Sequence, residues 1–206
     1  LFFYPNKVMK DWMSPINSNA LVIPPASFVL LAFCVYGRFS GADTLAKVLF
    51  WIGAPATLLF SIVLAARWIT DAHSEEHINA GWLLVPSANF VCSFVAPIMD
   101  DRYLEAAYLW FSFGVAIGVP VYVITLHKSI VFNDPDDRLR LLKWSFVAMT
   151  SVASVGNTFL TGQFSSASKV LYFISLSLGL MLGCLYLTGH YSQLKFDPTS
   201  TWSVAF

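Results

Sequence analysis

Apolar windows recur along this chain, divided by short charged stretches. Six of them, 12–37, 48–66, 77–99, 106–127, 144–168 and 170–194, run for 19 to 26 residues without Asp, Glu, Lys or Arg. A helix needs about 20 apolar residues to cross the hydrocarbon core of a bilayer. The pattern predicts membrane helices over about 19–36, 48–68, 82–99, 104–127, 140–161 and 169–189, with another beginning at 199–206. A soluble helical core would show a polar face every three to four residues, and these segments lack one. The alternation of about ten residues that marks a membrane β-barrel is also absent. The expected fold is all-α: a polytopic transmembrane helical bundle in a single domain, built of hairpin repeats around a central pore.

The third segment is the most informative. Trp82 to Pro97 carries no charge but is interrupted by Pro86, Ser87 and Asn89. In lipid, a proline in a helix is tolerated where the freed carbonyls find partners or face a water-filled cavity. This segment therefore reads as the wall of something wet. The first segment has Pro24 and Pro25, and the fifth has Thr150, Ser151, Ser154, Asn157 and Thr158. The even segments differ. Small residues recur every four positions in the second (Gly53, Thr57, Ser61, Ala65), the fourth (Gly114, Gly118) and the sixth (Ser175, Gly179, Gly183). Such stripes let membrane helices approach closely. The expectation is that even segments buttress and odd segments face an inner cavity. Pro24, Pro25, Phe28, Pro86, Asn89, Phe90 and Asn157 are the expected pore-lining positions.

Composition agrees with the membrane reading. Hydrophobic residues form 57% and charged residues 12% of the chain, against roughly 45–50% and 25% in soluble domains. The net charge of zero argues against a nucleic-acid partner, which would leave a basic footprint. Trp12, Trp51, Trp68, Trp82 and Trp144 lie near expected helix ends, as in an interfacial belt. Eight of the 12 basic residues fall on the side that holds the start of the first helix, so that side is expected to be cytoplasmic. The chain starts at Leu1 and stops within an apolar run at Phe206, and reads as an internal piece of a longer membrane protein.

Candidate chemistry is sparse. His73-Ser-Glu-Glu-His77 matches H-x-x-E-H, but a zinc site needs a further ligand and the match sits in a polar loop. Its bland reading is a solvated loop; its other reading is a membrane metalloenzyme. Asp134, Asp136 and Asp137 around Pro135 read as a turn and helix cap. Cys34, Cys92 and Cys184 are far apart inside apolar segments, where free cysteine behaves as a small hydrophobe. No nucleophile–base pair or phosphate loop is present, so neither an enzyme, a cofactor nor a metal is expected. No charge lies in the core of any segment. Coupled transporters usually keep one there, whereas weak binding suits conduction. The 18 phenylalanines supply rings for an aromatic constriction.

The final stretch, Phe196-Asp-Pro-Thr-Ser-Thr-Trp-Ser-Val-Ala-Phe206, resembles a signature of the tellurite-resistance/C4-dicarboxylate transporter family, which includes the plant slow anion channels. Those proteins carry a Phe, a short spacer and a W-[WAS]-x-x-F run opening their ninth helix. The third segment resembles their fifth helix in its apolar W-x-x-x-P start. The lead-in Tyr4-Pro5 and Pro15 resembles the entry to their third. The resemblance implies ten helices in five hairpins around a central pore, with proline-bent odd helices inside and even helices outside. It implies a homotrimer with one pore per subunit, in the cell membrane, passing small inorganic or organic anions. It implies that Phe206 plugs the pore. The fifth segment lacks the usual proline, and Thr201 stands where many members have a second aromatic. A coupled exporter of sulfite, tellurite or dicarboxylate is the rival reading, and a non-conducting structural subunit is another.

Overall fold

The computed structural model describes residues 12–14, 17–39, 41–71, 73, 77–131 and 142–187. Six α-helices account for most of them: α1 (Ile23–Val35), α2 (Asp43–Thr70), α3 (Leu84–Met99), α4 (Leu104–Val131), α5 (Trp144–Thr161) and α6 (Ser166–Leu187). They follow the six apolar windows in order. Among the described residues there is no strand. With the short helices that lead into α1, α3 and α4, five of the six helices are long and apolar enough to cross a membrane. The sixth, α5, is 18 residues long and is diluted by the hydroxyls and the amide noted above.

The prolines act differently from expectation. Pro24 and Pro25 occupy the first turn of α1, after a 3-10 segment at Asn17–Val22. Pro86 lies in the first turn of α3, after a 3-10 segment at Ala80–Leu83. A first-turn proline removes an N–H that has no helical partner anyway, so these residues start helices rather than interrupt them. The prolines inside helices are Pro55 of α2, Pro97 of α3 and Pro120 of α4. Internal proline therefore does not separate odd helices from even ones.

Three hairpins make the fold. Gly37 and Gly41, both at positive φ, turn the chain from α1 to α2, and Gly37 N–H donates to Asp43. Asp100 caps the turn from α3 to α4, and Gly162 at φ 65 ends α5 before α6. Short hairpin turns make each pair antiparallel. α2 also runs against α3, with Lys47 at Asp100 and Trp68 on Trp82. α4 runs against α5, with Tyr108 at the Leu160 carbonyl, so α1, α3 and α5 run the same way. Arg67, at the end of α2, donates to the Trp12 carbonyl at 2.7 Å and lies over that ring, which ties down the lead-in.

α3 is the hub and packs against α1, α2, α4 and α5. In its most apolar window 78% of the span is buried, against 11% for α6. α2 lies behind α1 and α3, α4 behind α3 and α5, and α6 on α5. The small-residue stripes explain the close contacts. A Cβ added to Gly53 would come 2.6 Å from the Pro25 carbonyl oxygen and 2.9 Å from Phe28 Cβ. One on Gly114 would meet the Phe90 ring at 2.8 Å, and one on Gly118 would meet Met149 and Pro86. The stripe of α6 is only partly used: Ser175 is buried against α5, while nothing lies within 4 Å of a Cβ on Gly183. Trp82 is buried and stacked on Trp68 at 4.7 Å.

Candidate functional site

Helix α3 is buried on almost every side. The less buried positions of α3 are Leu84, Ser87, Phe94, Pro97 and Ile98, with Val91 between them buried; spaced about three and four apart, they mark one stripe along the helix. The other sides are taken. Asn89 is fully buried, and its amide donates to Ser61 of α2 at 2.8 Å and to the Val85 carbonyl. Phe90 is buried over Gly114 and lies 5.2 Å from the Phe111 ring of α4. Val85 and Ala88 pack with Val22 of the lead-in 3-10 segment and Ala26 of α1. The open stripe therefore lies between α1 and α5, away from α2 and α4.

The same logic resolves α5. Asn157 donates to the hydroxyls of Ser165 and Ser168, at 2.7 and 2.8 Å. Ser154 donates to the Ser168 carbonyl, and Ser151 bonds Ser175. Gly156 faces Ser93 and Phe111. The polar residues of α5 thus hold α6. What α5 leaves open is Val155 and Phe159.

The expected pore-lining residues are accordingly redistributed. Pro86, Asn89, Phe90 and Asn157 lie at helix–helix contacts. The Asn89 and Asn157 amide N–H groups donate to Ser61 and to Ser165 and Ser168. The Asn89 side-chain oxygen is buried without a hydrogen-bond partner among the described residues. Phe90 and Pro86 pack against Gly114 and Gly118. Pro25 is buried, its carbonyl beside Gly53. Pro24 is half-buried, and Phe28 is 44% exposed with its Cβ next to α2. Phe206 and the Asp134–Asp137 turn lie outside the described residues.

Three rings missed in the sequence now stand out. Phe33 of α1 meets Phe94 of α3 edge-on, with centroids 5.8 Å apart and planes at 83°. Phe94 meets Phe159 of α5 at 6.1 Å. All three sit near the C-terminal ends of their helices. Their shared depth is the sequence signal that could have found them: one Phe near the end of each odd segment.

Among the described residues, charge gathers only at the two ends. At the α3–α4 turn, Asp100 accepts from the Arg102 side chain at 2.8 and 3.0 Å, from its backbone N–H, and from Lys47 at 3.2 Å. These bonds, those from Arg102 above all, hold the Asp100 carboxyl far below the usual carboxylate range. At the other end, Lys128 is buried and donates to the Ile78 carbonyl, just ahead of α3. His73 and His77 lie with rings 6.4 Å apart, and the His73 ring sits against Trp82. Among the described residues no group of three His, Cys, Asp or Glu side chains is arranged to hold a metal ion.

Comparison with known proteins agrees with this architecture. A family profile for SLAC1, the voltage-dependent anion channels, matches residues 1–206. The chain is similar to the S-type anion channel SLAH1 of Arabidopsis thaliana, with 26% identity over 208 residues, covering 100% of this chain and 53% of that protein. It is similar to SLAH4 of the same plant, with 27% identity over 86% of this chain and 48% of that protein. It is also similar to a tellurite resistance protein TehA homolog of Haemophilus influenzae, with 23% identity over 84% of this chain and 52% of that protein. The chain spans about half the length of the curated relatives it matches.

Proposed function

The chain belongs to the SLAC1 family of voltage-dependent anion channels, and from that premise we propose that it builds one side of a membrane passage for small anions. The observation that carries the reading is the open stripe of α3. The most enclosed helix of the bundle is less covered along one stripe, which lies between the two other odd helices and bears no charge. A path without fixed charge binds an ion weakly and releases it fast, which suits conduction.

Helix ends supply the sign. The N-terminal ends of α1, α3 and α5 gather at one end of this face, each worth roughly half a positive charge, with buried Lys128 nearby. That end attracts anions without holding them. The basic loops argue that it faces the cytoplasm. Phe206 is the proposed gate, α2, α4 and α6 form the outer wall, and the working assembly is a homotrimer in the cell membrane.

Anion currents in oocytes or liposomes test the reading. Phe206→Ala in the intact protein raises conductance; unchanged currents remove the gate. A coupled exporter of sulfite, tellurite or dicarboxylate would instead show flux only with a coupling gradient.

A further inference from the structure

We propose that Phe33, Phe94 and Phe159 form a hydrophobic collar, a second constriction separate from any gate at Phe206, at the end of the passage where the odd helices stop. The proposal rests on the passage described above and adds where its barrier lies.

Each of the three helices contributes one ring. Phe94 stands on the open stripe of α3 and touches both neighbours, Phe33 at 5.8 Å and Phe159 at 6.1 Å. The two flanking rings are not spent on the interior, Phe33 being 37% and Phe159 44% exposed, while Phe94 is half-buried with one side on the core. The outward faces of α2 and α4 look different. They carry mainly aliphatics such as Leu59, Ile62, Val119 and Val123, with Trp51 and Tyr108 exposed toward the helix ends.

Electrostatics makes this end the costly one. The C-terminal ends of α1, α3 and α5 converge there, each with roughly half a negative charge, and Asp100 beside them is committed to Lys47 and Arg102. An anion arriving there gains nothing from the helix dipoles. An apolar ring of small bore then excludes water and stops ions by dewetting. What compensates is the ring edge, which is positive in a phenyl quadrupole. The edge-on pairing of Phe33 with Phe94, at 83°, keeps the two rings from presenting the same face.

The test uses the intact protein in liposomes, with chloride flux as readout, in both the unsubstituted form and a Phe206→Ala form. Phe94→Ala raises flux several-fold in both forms, and Phe94→Trp lowers it. Phe159→Ala alters an exposed side chain, so it keeps the test alive if Phe94→Ala does not fold, and it also raises flux. On a Cys34→Ser, Cys184→Ser background, Phe159→Cys reacts with an impermeant, water-soluble thiol reagent. Flux that is present but indifferent to positions 94 and 159 overturns the collar alone. A thiol at 159 that stays unreactive puts the ring in lipid and also overturns it. No anion flux from any form removes the passage, and the collar with it.

Discussion

The amide of Asn89 donates to the hydroxyl of Ser61 at 2.8 Å, joining the innermost helix to its outer neighbour in the middle of the bundle. Both residues are fully buried. Ser61→Ala removes the acceptor and leaves Asn89 with the Val85 carbonyl. A hydrogen bond between membrane helices contributes about 0.6 kcal/mol on average and up to about 1.7. The expected loss is about 1 kcal/mol, read as a lower unfolding temperature in detergent, with the helix content unchanged.

Close approach makes a sharper prediction. Gly53→Val puts methyl groups where Pro25, Phe28 and Val29 already stand within 3 Å of a Cβ. Overpacking of this kind costs about 1–3 kcal/mol, and here it would pry α1 from α2. Gly183→Ala meets nothing within 4 Å and should leave stability unchanged. Thermal unfolding of the two variants side by side checks the contrast.

Asp100 gives a pH dependence with a definite sign. Its carboxyl titrates lower in the fold than in the unfolded chain, because Arg102 and then Lys47 hydrogen-bond its charged form. Its stabilising contribution is therefore complete above the unfolded value of about 3.9, and is lost progressively as pH falls below that toward the depressed folded value. Melting temperature should be flat with respect to this group from neutral pH to about 5 and fall below about 4. Asp100→Asn should lower the neutral-pH melting temperature and flatten that acid limb.

How much of this was written in the sequence depends on what each residue could find to bind. The six apolar windows required six helices, since bare backbone is not tolerated in lipid, and they appear in order. The stripe through Gly53, Thr57 and Ser61 was legible because glycine and hydroxyls at every fourth position have few other uses. The prolines misled. Pro86 reads as a break within an apolar run, yet the preceding Ala80–Leu83 turn lets it begin a helix at no cost in hydrogen bonds. Polarity misled in the same way. Asn89 and Asn157 were assigned to water because they are amides, yet their N–H groups donate to Ser61, Ser165 and Ser168. Of the two, only the Asn89 oxygen is left buried without a partner among the described residues. The sequence does not say which helices are neighbours. The open stripe of α3 is mostly apolar, so no polarity argument could have singled it out.

Accessibility along α3 is the most direct test of the central claim, that the passage runs along the stripe of Leu84, Ser87 and Phe94, with α4 outside. Single cysteines replace Leu84 and Ser87 on α3, and Val119 and Val123 on the outward face of α4, on a Cys34→Ser, Cys184→Ser background. Each variant is treated in liposomes with a charged, water-soluble thiol reagent while anion flux is recorded. The α3 positions are expected to react and flux to fall, while the α4 positions remain unmodified. Reaction on α4 with α3 silent would turn the bundle inside out and contradict the account.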